Sequence, residues 1–332
     1  MRRAESHRAR KAKETQRSLN EIDYLLQVSD IVRQGALRFA ENVQGPFLQS
    51  SNTPSIPPLI SLPKLLSATE KLINKEENEE ELKLLLAPGS SLGGARPKAS
   101  IIDKNGHLAI AKFPREDDEF STVLWEAVAL TLASNAGITV PSWQLETVTT
   151  KPTLIIRRFD REGKQRIPFL SAMSMMGAKD GDQHSYLEII DAIKQYGSLP
   201  KQDLIHLWRR MIFNILISNT DDHLRNHGFL YEQCKGWKLS PVYDVNPTST
   251  LIKPRILTTT INFDDGTASL DLALSVANEF GITQIEAKKI AKEVGLAVFK
   301  WGTIARKYRI SSSEIERMSS AFDHSDLRQA IL

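Results

Sequence analysis

The sequence predicts an α+β protein in two parts, a small α/β part followed by a mostly helical one, and three observations point there. Two short apolar runs, Ile101-Ile102 and Leu108 to Phe113, flank Asp103-Lys104-Asn105-Gly106, and an Asn-Gly pair between such runs is a strong hairpin signal. Phe120 to Ala136 then alternates at the helical period and stops at Gly137, after which Trp143 to Val148 and Thr153 to Phe159 read as two more strands. From about Met173 the pattern turns helical, most clearly in Tyr186 to Tyr196 and Leu204 to Leu216. At 332 residues the chain has room for two such cores.

In chain order, residues 1–44 form an N-terminal segment expected to be helical, with a basic start. Seven Lys/Arg (Arg2, Arg3, Arg8, Arg10, Lys11, Lys13, Arg17) stand against two glutamates in the first 17 positions. This reads as a solvated helix or frayed terminus ahead of a contact with DNA or an acidic partner. Residues 45–64 hold Gly45, Pro46, Pro54, Pro57, Pro58 and Pro63 with serines between, which gives an extended or turning linker. Residues 65–160 make the first lobe: helical pieces at Leu65 to Ile73 and Leu82 to Leu86 around the glutamate-rich stretch 76–81, then the Gly-rich stretch Gly89 to Lys98 and the hairpin. Residues 161–332 make the second lobe. There Leu204, Leu207, Trp208, Met211, Ile215 and Leu216 line one helix face. Short β-like runs are expected at Gly228 to Tyr231, Trp237 to Leu239 and Thr258 to Phe263, and four helices within 268–326. Tryptophans 125, 143, 208, 237 and 301 read as core.

Composition excludes several classes. No apolar run approaches the ~20 residues that span a bilayer, and the start lacks the pattern of a signal peptide. The single cysteine, Cys234, allows no internal disulfide, which together with the rest suits a cytoplasmic protein. A net charge of +3 is too small to mark the whole chain as a nucleic-acid binder.

The chemistry concentrates directly after Leu216, in Ser218-Asn219-Thr220-Asp221-Asp222-His223-Leu224-Arg225-Asn226. An aspartate followed five residues later by an asparagine has the spacing of a kinase catalytic loop, where Asp orients the attacking hydroxyl and Asn holds magnesium. Asp221 and Asn226 fit those roles, and Asp244, eighteen residues further on in Tyr243-Asp244-Val245-Asn246-Pro247, is the candidate second ligand for Mg²⁺. The phenylalanine of Asp-Phe-Gly is absent, so no switching by that residue is assumed. Lys112 is a lone charge in the apolar run Leu108 to Phe113 and reads as the strand lysine for ATP phosphates, with Glu126 as a candidate partner. In the Gly-rich stretch, Gly93, Gly94 and Ala95 bring backbone N–H groups toward phosphate, and Arg96 and Lys98 add charge. No Cys or third His accompanies His223 and His227, so both are expected to brace the loop by hydrogen bonds. His223 also stands among the nucleotide-side candidates. Asp222 is expected to cap or to be solvated.

The strings Gly-Ser-Ser-Leu-Gly-Gly-Ala-Arg-Pro-Lys (89–98), Asn-Thr-Asp-Asp-His-Leu-Arg-Asn (219–226) and Leu-Ser-Pro-Val-Tyr-Asp-Val-Asn-Pro (239–247), in this order and spacing, resemble the HipA family of kinase toxins over roughly residues 20–326. The resemblance implies a bilobal protein-kinase-like fold with ATP between the lobes, and it makes Ser91, with Ser90 beside it, the autophosphorylation site. It places Ile155 to Arg161 at the interlobe hinge, with Arg157 and Phe159 near adenine; Arg157 stands where many members have glutamate, so no glutamate contact carries over. The resemblance is to a short, HipT-like form without the N-terminal subdomain. It implies a type II toxin–antitoxin component, a non-specific serine/threonine protein kinase acting on a translation component such as an aminoacyl-tRNA synthetase. The implied partners are a HipB-like helix-turn-helix antitoxin, DNA through that antitoxin, and a small HipS-like protein supplying the missing subdomain. Two other readings stay open at the level of sequence: a corepressor module with little catalysis, and a small-molecule or lipid kinase built from the same parts.

Overall fold

The structure, a computed structural model, describes residues 18–50, 61–74, 76, 81, 96–115 and 117–332, with single positions at 9, 13 and 15. They divide into two compact units, one of residues 1–118 with 142–166, the other of 119–141 with 167–332.

The first unit is built on a four-stranded antiparallel sheet. Its strands are β1 (Lys98–Ile102), β2 (Leu108–Lys112), β3 (Trp143–Val148) and β4 (Lys151–Arg157), in the order β1-β2-β4-β3. The Asn-Gly turn joins β1 to β2 with Gly106 at φ 81°, a left-handed conformation that glycine enters at no steric cost. The helices α1 (Glu21–Gln27) and α2 (Leu62–Asn74) precede the sheet, the second with Pro63 in its first turn, where a missing N–H costs nothing. Leu62, Leu65 and Leu66 of α2 form one buried cluster with Ala99, Ile101, Ala109, Ala111, Phe113, Val148 and Ile155. Since side chains alternate along a strand, covering Ala109 and Ala111 leaves Ile110 and Lys112 on the opposite face. The two-residue strands β5 (Arg161–Glu162) and β6 (Gln165–Arg166) follow as a small hairpin.

Among the described residues 18–50, α-helix is confined to α1, with a 3₁₀ turn at Asp30–Val32, and no helix lies between 33 and 50. The reason lies in where the carbonyls go. Val32 O accepts from Arg158 at 2.6 Å, Arg33 O from Arg158 and Arg161, and Gly35 O from Arg161 at 3.1 Å, so guanidinium groups take the acceptors a helix would need. Asp160, 3% exposed, accepts the N–H of Gly35 at 2.7 Å and pairs with Arg158 and Arg161. Asp30 pairs with Arg38 and Arg166.

The second unit begins with α3 (Thr122–Asn135), buried nearly all round and packed on α8 (Gln284–Val298) and α9 (Trp301–Lys307). Trp125 packs at a tilt against Trp301 and Phe322 and donates its indole N–H to Glu314 at 2.9 Å. Then come β7 (Phe169–Ser171), α4 (Ala172–Met176), α5 (Tyr186–Tyr196) and α6 (Pro200–Leu216). The strands β8 (Gly228–Glu232) and β9 (Gly236–Leu239) join β7 in a three-stranded antiparallel sheet. The six residues expected on one face of α6 are all buried, and so are Ile212 and Phe213, because the second half of the helix runs through the core. Trp125, Trp208 and Trp301 are buried; Trp143 and Trp237 are half-buried on strands.

One expected strand is corrected. Thr258 to Phe263 is not a strand but a bent segment with one isolated bridge, Ser185 to Thr260. Its N–H groups go to separate loops: Thr258 to Thr220 O, Thr259 to Asp222 O and Thr260 to His184 O. Within 268–326 stand the four helices expected there, α7 (Leu270–Ser275), α8, α9 and α10 (Ser312–Met318), followed by α11 (Ser325–Ile331); His324 caps the last by accepting the N–H of Leu327.

Candidate functional site

The Asp221–Asn226 loop leaves the buried end of α6 through Ser218, whose φ of 53° turns the chain out of the helix. Arg255 holds this exit, donating to Ser218 Oγ at 2.9 Å and to Ile215 O at 3.1 Å. The loop then closes on the carbonyl of Asp221, which accepts both the N–H of His223 and the Nδ2 of Asn226, each at 3.0 Å. A 3₁₀ turn at Leu224–Asn226 completes it. Asp221 is exposed, whereas Asp222, Asn226 and His227 are buried.

The β8–β9 hairpin brings Asp244 back to this loop. It starts two residues after Asn226 and returns with Ser240 N–H on Gly228 O at 2.8 Å. Arg210, in the core of α6, donates to Ser240 O, Val242 N–H reaches Thr139 O at 2.9 Å, and the Tyr243 hydroxyl donates to Arg225 O at 2.5 Å. Tyr243 and Arg225 are the neighbours of Asp244 and Asn226, so this bond ties the two candidate ligand segments directly. Asp244 is exposed and takes φ 58°, a left-handed conformation uncommon outside glycine but tolerated best by Asp and Asn.

Beneath the loop lies a buried polar network that sequence reasoning missed. Asp222 accepts from the Tyr186 hydroxyl and from His227 Nε2, 3.1 Å from Oδ1. Asn214 Nδ2 donates to the Tyr186 oxygen and Asn219 Nδ2 to Asn214 Oδ1, each at 3.1 Å. Burial pushes the Asp222 carboxyl up, but His227 and the hydrogen bonds from His227 and Tyr186 outweigh it and hold the group below its ordinary value. Burial, with Asp222 beside it, drives the Tyr186 phenol well up, and burial pulls Arg210 down to about 10. Asp222 therefore neither caps a helix nor meets solvent, contrary to its expected part; the only sequence signal for it was the doubled aspartate. His227 braces the loop as expected, through Asp222. His223 stands at the N-cap of the 3₁₀ turn with no side-chain bond to it, and its Nδ1 is buried with no hydrogen-bond partner among the described residues.

The first unit carries the other candidates. Lys112 ends β2, in register with Lys98 on β1 and Leu154 on β4, so both lysines and Leu154 share the sheet face opposite α2. Arg96 pairs with Asp118. Arg157 closes β4, its N–H on Ser142 O at 2.8 Å, and Phe159 is half-buried just beyond. Their neighbours Arg158 and Asp160 anchor the N-terminal segment, a role that only the tertiary fold reveals. Glu126 is buried on α3 in the second unit. Ser90, Ser91, Gly93, Gly94 and Ala95 lie outside the described residues.

The donor set fits a hard divalent cation. With Nδ2 committed to Asp221 O, Asn226 keeps an oxygen to offer, and Asp244 adds a carboxylate. Among the described residues no group of three or more His, Cys, Asp or Glu is placed to hold a metal. No helix among the described residues is long and apolar enough to cross a membrane.

A chain of the Shewanella oneidensis MR-1 toxin–antitoxin complex of HipA, HipB and operator DNA matches with a TM-score of 0.66 at 14% identity, over 96% of this chain and 79% of that one. The Helicobacter pylori proinflammatory kinase CtkA matches with a TM-score of 0.52 at 16% identity, over 73% and 94%. At these identities the likeness is one of fold, and the fold is the kinase-like one. In sequence, the chain is 23% identical to the candidate kinase Y4mE of Sinorhizobium fredii over 63% of this chain and 51% of that protein. It is 27% identical to a candidate kinase of Haemophilus influenzae over 47% and 52%. The chain thus spans about half the length of the curated relatives it matches. Residues 90–301, well over half of the chain, match the model of the HipA-like C-terminal domain, and they include every candidate of the Asp221–Asn226 and Asp244 segments: the chain belongs to the HipA-like C-terminal domain family.

Proposed function

We propose that this protein is an ATP-dependent serine/threonine kinase and the toxin component of a toxin–antitoxin pair. The observation that carries the reading is the closure of Asn226 on the Asp221 carbonyl at 3.0 Å, with the Tyr243–Arg225 bond holding Asp244 to the same loop. In this reading Asp221 accepts the proton of the acceptor hydroxyl and aims it. Asn226 and Asp244 would hold Mg²⁺, and the ion when bound would supply charge neutralisation at the phosphate oxygens. Lys112, with Lys98, Arg96 and the backbone of Gly93 to Ala95, binds the phosphates, His223 lies on the nucleotide side, and Arg157 and Phe159 border the adenine. Catalysis then rests on positioning and charge neutralisation.

Family membership supports the kinase chemistry. The HipB and operator DNA bound to the Shewanella protein support a HipB-like antitoxin as partner, with DNA reached through it. Self-phosphorylation at Ser91 or Ser90 and a translation-component substrate such as an aminoacyl-tRNA synthetase complete the proposal. The test is incubation with γ-labelled ATP and Mg²⁺, followed by mass spectrometry. Label on Ser90 or Ser91, absent from Lys112→Ala, is the expected result; an unphosphorylated protein that binds ATP and labels neither serine contradicts the self-inactivation part.

A further inference from the structure

We propose that Asp222 is a positioning residue for phosphate transfer, holding the stretch of backbone from which both Asp221 and Asn226 take their orientation. The inference rests on the kinase reading above and deepens it. Asp222 is 2% exposed, so it has no route to a substrate and cannot serve as a second base. Its carboxylate is held from below by the Tyr186 hydroxyl on α5 and by His227 Nε2, 3.1 Å from Oδ1. Tyr186 is in turn fixed by Asn214 on α6, and Asn214 by Asn219 at the start of the same loop. The chain of bonds thus leaves the loop at Asp222, passes through two helices and re-enters it at Asn219.

The backbone on either side of Asp221 is held as well. Thr258 donates its N–H and its hydroxyl to Thr220 O at 3.2 and 2.8 Å, and Thr259 N–H reaches Asp222 O at 3.0 Å. Between these two carbonyls stands that of Asp221, the acceptor for Asn226 Nδ2. A shift at Asp222 therefore moves the Asp221 side chain and the carbonyl that sets the Asn226 amide together. The chemistry of the network also favours a carboxylate here. Tyr186 and His227 both donate, so an amide at 222 would turn its own N–H₂ toward one of them and leave a buried donor unmatched. A buried charge is a poor device for stability alone, since well-packed apolar groups usually do as well; it does suit a loop that must take one geometry.

Tyr186→Phe tests this most cleanly, because it removes one hydroxyl and leaves ring packing intact; Asp222→Asn is the second variant. Three quantities are measured: the unfolding midpoint, the single-turnover rate of self-phosphorylation, and Mn²⁺ binding by calorimetry in the presence of a non-hydrolysable ATP analogue. In folded Tyr186→Phe the rate is expected to fall about tenfold to a hundredfold, as for a displaced reacting group. Mn²⁺ affinity is expected to fall by about tenfold, as when a ligand loses the group that orients it. Binding of the analogue without metal should be unchanged. A folded Tyr186→Phe with wild-type rate and wild-type Mn²⁺ affinity overturns the proposal and leaves a structural network, whether or not Asp222→Asn folds. A wild-type protein that binds neither the analogue nor Mn²⁺ and transfers no phosphate overturns the kinase reading and this inference with it.

Discussion

The side-chain amide of Asn226 donates to the main-chain carbonyl of Asp221 at 3.0 Å, so the residue proposed to carry Mg²⁺ and the residue proposed to aim the acceptor hydroxyl are parts of one closed turn. Asn226→Ala removes both the metal oxygen and this closure. Phosphate transfer is expected to fall by about a hundredfold or more, with the Mg²⁺ concentration for half-maximal rate shifted upward. Initial rates across a Mg²⁺ titration check it; an unchanged Mg²⁺ dependence would remove Asn226 from the metal site.

The buried pairing of Asp160 with Arg158 and Arg161 fixes the N-terminal segment to the end of β4. Asp160→Ala leaves two buried guanidinium groups short of their partner, which costs about 3–5 kcal/mol for a pair broken on one side. Denaturant unfolding should show this loss. Burial pushes the Asp160 carboxyl up, and the hydrogen bond and charges of Arg158 and Arg161 outweigh it to hold the group below its ordinary 3.8. A carboxylate with a depressed folded value stabilises the fold above its unfolded value and loses that contribution as pH falls through the folded one. Wild type should therefore lose stability more steeply below about pH 4 than Asp160→Asn.

His324 gives the second unit a loss of stability on acidification too, here because the neutral form of the ring is the one held. Its Nε2 lies 3.2 Å from Leu216 O and its Nδ1 accepts the Leu327 N–H at 3.3 Å, a pattern that needs a neutral ring. Burial and the nearby Arg255 pull its pKa from 6.5 to about 4. The unfolded chain then binds more protons between those values, so stability is full above pH 6.5 and falls as pH drops toward 4. The whole effect is on the order of 3 kcal/mol. Unfolding free energies across this range should slope for wild type and flatten for His324→Gln.

Much of this molecule was legible in its sequence. The Asn-Gly turn fixed the β1–β2 register, the 3.6 periodicity marked α5 and α6, and the Asp221, Asn226 and Asp244 spacings drew attention to the segments that the β8–β9 hairpin brings together. What was hidden depends on partners far away in the chain. Thr258 to Phe263 has strand-like composition, yet its N–H groups bond to Thr220, Asp222 and His184 rather than to a neighbouring strand. Asp222 looked like a solvated turn residue because nothing local announces Tyr186, 36 positions earlier. Beyond α1 the N-terminal segment is not helical, because Arg158 and Arg161, more than 120 positions later, take the carbonyls of Val32 and Arg33.

The most direct test of the central claim is phosphate transfer from γ-labelled ATP by wild type and by Asp221→Asn, each with nucleotide binding measured alongside. The exposed carboxylate of Asp221 aims a hydroxyl and takes its proton in this account, so the variant should bind ATP with Mg²⁺ about as well as wild type and transfer phosphate at least about a hundredfold more slowly. Transfer at the wild-type rate by a folded Asp221→Asn, or no Mg²⁺-dependent ATP binding by wild type, would contradict it.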